Sequence, residues 1–216
     1  MKDKYILTAE SVTAGHPDKL CDAIADSILD ACLKEDPNAR VACDVLATAG
    51  KILVAGELRT TASPDVEAIV RQTVRNAGYD CNYHVEVRLH TQSPDIAGAV
   101  DGETLGAGDQ GIVYGYACWE TVELLPAPVV LANRITSLLT TCREEKLISG
   151  IGPDGKAQVS VQYAFGVPER VDTIVISCQH DADKDPDELR EELRRLVIAR
   201  ACHDVRIDEQ TKILIN

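Results

Sequence analysis

Aromatic side chains are scarce in this sequence. One Trp, one Phe and six Tyr make up 4% of 216 residues, so the core must be aliphatic. Positive charge is scarce too. Lys and Arg number 22 against 35 Asp and Glu, a net charge of −13, and no basic block occurs. That excludes nucleic acid as the expected partner. It also disfavours a bare polyanion, so a nucleotide triphosphate would need metal ions to screen it. The eight cysteines (21, 32, 43, 81, 118, 142, 178, 202) are scattered singly, with no C-x-x-C pair. This suits buried, reduced thiols rather than a metal knuckle or redox pair. No apolar run is long enough to cross a bilayer and no signal peptide is evident, so no membrane is expected. A reducing cytoplasmic location follows. The length and 45% hydrophobic content suffice for one large domain or two small ones.

What is present begins with Glu10-Ser11-Val12-Thr13-Ala14-Gly15-His16-Pro17-Asp18-Lys19. It sets a glycine, a histidine, a carboxylate and a lysine at the opening turn of an amphipathic helix. Pro17 suits the first helical position, where its missing N–H costs nothing. Helix N-termini favour anions, and an aspartate there can hold a divalent cation beside the anion. The stretch reads as the start of a polyphosphate–metal site, or more plainly as a capped surface helix.

The chain reads as two passes of one element order. A strand over Tyr5 to Ala9 precedes a helix from Pro17 to about Lys34, with Leu20, Ile24, Ile28 and Ala31 on one face. Strands Val41 to Leu46 and Ile52 to Leu58 flank an Ala49-Gly50 turn. A helix capped at Ser63-Pro64-Asp65 closes at Gly78, and His84 to His90 alternates as a strand. The second pass predicts a strand over Gly111 to Ala117 and a helix from Pro126 to about Cys142. Strands Val159 to Phe165 and Thr173 to Ser177, a helix opened by Asp185-Pro186-Asp187, and a strand Ile213 to Ile215 follow. The expected fold class is α+β: duplicated β-α-β-β-α-β units, helices on one face of each sheet, dividing at 1–98 and 99–216. The join, Gln92 to Gly111, holds five glycines and no periodicity. Loops this long are lids, binding loops or linkers.

Gly15-His16-Pro17-Asp18-Lys19, Gly56-Glu57, Gln92-Ser93-Pro94-Asp95-Ile96 and Gly106-Ala107-Gly108-Asp109-Gln110-Gly111 occur in that order. Pro126-Ala127-Pro128, Pro153-Asp154-Gly155-Lys156-Ala157-Gln158-Val159 and Gln179-His180 follow. Together these motifs resemble those of the S-adenosylmethionine synthetases (methionine adenosyltransferases), over nearly the whole chain. The resemblance implies ATP and L-methionine as substrates, S-adenosylmethionine as product, and cleavage of the triphosphate to pyrophosphate and phosphate. It also implies three similar α+β repeats about a pseudo-threefold axis, with active sites between subunits.

The implied roles fall on particular residues. His16 matches the histidine that stabilises the leaving oxygen, and Lys156 a lysine on the phosphates. Asp154 matches a ribose-side ATP contact, though Pro-Asp-Gly is also a turn sequence. Glu57, Gln92 and Asp109 match groups that grip the amino-acid end of methionine. Asp18 matches a magnesium (Mg2+) ligand. Asp44 stands where the family has a glutamate on potassium (K+), one methylene shorter, which bears on any monovalent-ion requirement. The family's third repeat, with its adenine-stacking aromatic, phosphate cations and second magnesium carboxylate, has no counterpart here. The expectation is a subunit of a split enzyme whose missing third comes from a partner chain in a hetero-oligomer. A non-catalytic interaction subunit and a methionine- or nucleotide-binding module are the alternatives.

Overall fold

The computed structural model describes residues 4–80, 82–91 and 110–216. They fall into two compact units, one formed by Met1–His16 with Tyr116–Asn216 and the other by Pro17–Gly115.

In the second of these, α1 (Pro17–Glu35) buries Leu20, Ile24, Ile28 and Cys32, four residues apart along one stripe. The chain leaves the helix at Asp36, whose carboxylate accepts from the N–H groups of Asn38 and Thr61 and from the Thr60 hydroxyl. Those donors, the Thr61 N–H foremost, hold its pKa below the usual carboxylate range. β2 (Arg40–Thr48) and β3 (Lys51–Arg59) form the expected hairpin, with Gly50 at φ 71° in its turn. α2 (Val66–Ala77) is capped by Asp65, which accepts from Ala68 N–H, and ends at left-handed Gly78. β4 (His84–Thr91) then adds parallel to β3, giving the sheet order β2-β3-β4. Strand alternation places Ile52 and Val54, with Val41, Cys43, Val45, Val85 and Leu89, against both helices in one core.

The first unit repeats this plan. α3 (Ala127–Glu144), the hairpin β5 (Ile151–Ala164) and β6 (Val167–His180), and α4 (Pro186–Leu193) are followed by β7 (Lys212–Ile215), parallel to β6. α4 continues through a π-helical turn, Arg194–Ile198, into α5 (Ala199–Ala201). β5 alternates Ala157, Val159, Val161 and Tyr163 into a core completed by Ile174 and Ile176 of β6 and by α3 and α4. Tyr163 is buried, stacks on Tyr5 with ring centroids 5.1 Å apart, and donates its hydroxyl hydrogen bond to Glu120. The Glu120 carboxylate also accepts from Ala127 N–H at the first turn of α3, so one acid ties core to helix cap. Arg170 is buried and satisfied by Asp208, Asp172 and Thr211.

Each unit thus contains an α-β-β-α-β series with its helices on one sheet face, and the two-sheet α+β architecture expected from the sequence is the one observed. Two readings change. β1 (Lys4–Val12), the opener of the first pass, is not in the sheet of the elements that follow it. It pairs antiparallel with β5, from Lys4↔Ala164 to Val12↔Lys156, giving the order β1-β5-β6-β7. The strand expected over Gly111 to Ala117 is not formed. A strand requires an edge to pair with, and this stretch has no ladder partner among the described residues; Ile112, Val113 and Tyr114 stand 79%, 97% and 90% exposed. The 98/99 boundary, Gln92 and Asp109 lie outside the described residues.

Candidate active site

In the first unit β1 leads to His16, four residues past its end, and β5 carries residues 154–156. After Val12↔Lys156 the ladder ends, and Thr13 replaces it with a clamp. Its N–H donates to Gly155 O at 2.9 Å, and its hydroxyl reaches Pro153 O at 2.7 Å and Gly155 O at 3.2 Å. His16 N–H then donates to Thr13 O at 3.1 Å, closing a turn that follows the clamp directly. Gly15 is required at the crossing, because a Cβ there would lie 2.5 Å from Pro153 O. His16 is half-buried.

Lys156 points to the sheet face opposite the helices, with Glu10 as its diagonal neighbour on β1. Its Nζ lies 2.9 Å from Glu10 Oε2. Both side chains are about half exposed, at 43% and 56%, so the pair adds little stability and Lys156 can change partner at little cost. Asp154 sits where the β5–β6 register shifts, and its N–H donates to Gln179 Oε1 at 3.0 Å. That bond draws the Pro153-Asp154-Gly155 segment of β5, which is strand rather than the turn its sequence also allowed, and Gln179 of the Gln-His motif together. Cys178, beside them, is a protonated thiol: burial first, then the charges of Asp154 and Cys142, push its pKa up to about 11.

The second unit positions three more candidates. Asp18 is exposed in the first turn of α1, beside Lys19. Asp44 and Glu57 share the sheet face turned away from α1 and α2, because Asp44 pairs with Ala55 and Glu57 lies two residues along β3. His90 is the parallel partner of Glu57 on that face. Gly56, at φ 143°, brings β3 so close to β2 that a Cβ would meet Ala42 O at 2.0 Å. Glycine is therefore obligatory immediately before Glu57. No cluster of three or more His, Cys, Asp or Glu able to hold a metal occurs among the described residues.

The chain also matches known proteins along nearly its whole length. Residues 4–103 match the N-terminal domain of S-adenosylmethionine synthetase, and residues 104–216 match its central domain. The chain belongs to the S-adenosylmethionine synthetase family. It is 45% identical to the S-adenosylmethionine synthase of Finegoldia magna, over 97% of this chain and 59% of that protein. It is 44% identical to the S-adenosylmethionine synthase of Desulfosudis oleivorans, over 98% of this chain and 58% of the relative. The chain therefore spans about three fifths of the length of the curated relatives it matches.

Sequence reasoning singled out His16, Asp154 and Lys156 but missed Thr13, Glu10 and Gly15 as the residues that place them. Gly15 and Thr13 stand inside the same motif, so the signal was there; the partner segment 140 residues away was not legible.

Proposed function

We propose that this chain forms the N-terminal and central portion of a methionine adenosyltransferase that makes S-adenosylmethionine from ATP and L-methionine. The observation that carries this reading is the Thr13 clamp. It brings the strand that leads to His16 and the Asp154–Lys156 segment together at one end of the β1–β5 ladder. In this reading the thioether sulfur attacks C5′ of ATP, the C5′–oxygen bond breaks, and the triphosphate leaves with the electron pair. His16 donates a hydrogen bond to the leaving oxygen, where charge accumulates. Lys156 exchanges Glu10 for a phosphate oxygen. Asp154 contacts the ribose side, while Glu57, Gln92 and Asp109 hold the amino and carboxylate end of methionine. The triphosphate is then hydrolysed to pyrophosphate and phosphate.

Asp18 fits magnesium. A single exposed carboxylate at a helix start, with no metal cage among the described residues, is the donor set of a magnesium ion held mainly by phosphate oxygens. When bound, the ion supplies charge neutralisation on the phosphates. Asp44 would give potassium one carboxylate oxygen. The net charge of −13 supports the need for cations from elsewhere. We further propose that a partner chain supplies the portion equivalent to the remaining two fifths of the relatives, making the active enzyme a hetero-oligomer. The cysteines described are all free thiols, which supports a reducing, cytoplasmic setting. No described helix is long and apolar enough to cross a membrane.

The test is product formation by this chain with and without a separately supplied polypeptide carrying the missing portion. In the active assembly His16→Ala is expected to lower turnover at least about a hundredfold with methionine binding retained, the scale of one lost transition-state donor. A loss under about tenfold refutes the assignment of His16. Unaided activity of this chain refutes the partner requirement.

A further inference from the structure

We infer that a groove between α3 and the C-terminal helix of the first unit is a second, independent site for a small apolar α-amino acid. The cavity is about 430 Å³ and no residue of β1 or β5 lines it, although Asn133 in its wall accepts a hydrogen bond from Ser11 of β1. Leu125, Val130, Leu138 and Ala201 form an apolar wall, and Glu123, Ser137 and Arg200 supply the polar groups. This is the size and character of a small-molecule pocket: apolar lining with a few polar groups that fix orientation.

Three observations give the pocket its chemistry. Arg200 is exposed and its guanidinium forms no hydrogen bond or ion pair with any described residue, unlike that of its neighbour Arg134; its carbonyl oxygen is engaged by His203 Nδ1. Arg134 is consumed by Asp204, at 2.8 Å, and by Glu123, at 2.8 Å. The same guanidinium also reaches Ala201 O at 3.4 Å, so it spans the groove from the Glu123 wall to the Arg200–Ala201 wall. An anionic carboxylate at Glu123 and an unpaired guanidinium at Arg200 thus flank one apolar surface. That charge pair matches a zwitterion: ligand carboxylate to Arg200, ligand ammonium to Glu123, side chain against Leu125, Val130 and Leu138.

The wall beside Glu123 is held in place at a cost. Leu124 adopts φ 57°, a left-handed conformation unfavourable for a leucine. Thr121 fastens the turn, its hydroxyl donating to Leu125 O at 2.8 Å while its carbonyl accepts from Leu124 N–H at 3.0 Å. The strained turn is what sets Glu123 and Leu125 into the groove. Sequence reading passed over all of these residues, because none lies in a motif.

The probe is L-leucine, which tests the groove without relying on the proposed methionine site. Isothermal titration of the whole chain should give a dissociation constant of order 1 mM, as expected of so small a ligand. Arg200→Met should weaken binding at least about tenfold, with an unchanged melting temperature excluding misfolding. 4-Methylpentanoate, which lacks the ammonium, and isoamylamine, which lacks the carboxylate, should each bind at least about tenfold more weakly. Glu57→Gln should leave leucine binding unchanged, which separates this site from the methionine grip proposed above. No binding at about 20 mM leucine, binding that survives Arg200→Met, or equal binding of 4-methylpentanoate overturns the assignment. Loss of binding in Glu57→Gln overturns it too, by placing leucine at the other site.

Discussion

Replacing Gly15 with alanine tests whether the turn that carries His16 is seated by backbone contact with β5. The added methyl would lie 2.5 Å from Pro153 O, 2.6 Å from Pro153 C and 2.6 Å from Pro153 Cβ. Two of these are backbone atoms, and Pro153 is ring-locked, so no flexible side chain can swing aside. Accommodating the methyl requires the two segments to part by roughly 1 Å, at an overpacking cost of about 1–3 kcal/mol. The same separation lengthens the Thr13 hydroxyl bond to Pro153 O and the Thr13 N–H bond to Gly155 O, each worth about 1 kcal/mol. Alanine recovers about 0.5 kcal/mol by restricting the unfolded chain. The expected net loss is about 3 kcal/mol. In urea unfolding followed by circular dichroism, that moves the midpoint down by about 1–2 M. Gly115→Ala is the control, since its Cβ would meet nothing within 4 Å. That variant should change stability by less than about 0.5 kcal/mol. If Gly15→Ala comes within about 0.5 kcal/mol of Gly115→Ala, the seating of His16 by this contact is wrong.

Tyr163→Phe removes the only described side-chain donor to Glu120 in the core and should cost about 1–3 kcal/mol by urea unfolding; a neutral result would mean Glu120 is satisfied otherwise. Tyr163 is also pushed well above the ordinary tyrosine pKa of 10.0, by burial first and then by Glu120. The folded state therefore keeps this phenol protonated, and its stabilising contribution is complete below pH 10 and declines as pH rises above it. The alkaline decline in melting temperature should be shallower in the phenylalanine variant. Glu86 is held at about 2, below the ordinary 4.5, by hydrogen bonds from Lys51 and then Arg88. Its contribution is complete above pH 4.5 and is lost as pH falls toward 2. Lys51→Met should move the Glu86 carboxyl titration, followed by NMR, upward toward 4.5; an unmoved midpoint would remove Lys51 as the cause.

Periodicity was a good guide wherever an element's pattern is local. The i, i+4 stripe of α1 and the Asp65 and Gly78 caps of α2 lie within a few residues of one another, and each formed as expected. The β2–β3 hairpin needed only its two-residue turn. Length was less legible. β5 and β6 each run 14 residues, well beyond the expected strands, because a long antiparallel partner sustains extended backbone through Pro153, Gly155 and Pro168 that propensity alone would end. Segment 111–117 failed in the opposite sense: its β-branched and aromatic residues are those of a strand, but pairing is a property of two segments.

The amino-acid sequence by itself indicated the repeat, the main helices, the β2–β3 hairpin and which residues match the family's motifs, since these depend on spacing and residue type over short distances. Only the tertiary structure decided that β1 joins β5 rather than the elements that follow it. Only it seated Thr13 and Gly15, just before His16, against Pro153, and placed Arg200 and Glu123 on one groove. These placements bring together residues from 77 positions apart, Glu123 and Arg200, to 160 apart, Lys4 and Ala164. No local pattern encodes such a meeting; it follows from how the buried faces of helices and sheet pack.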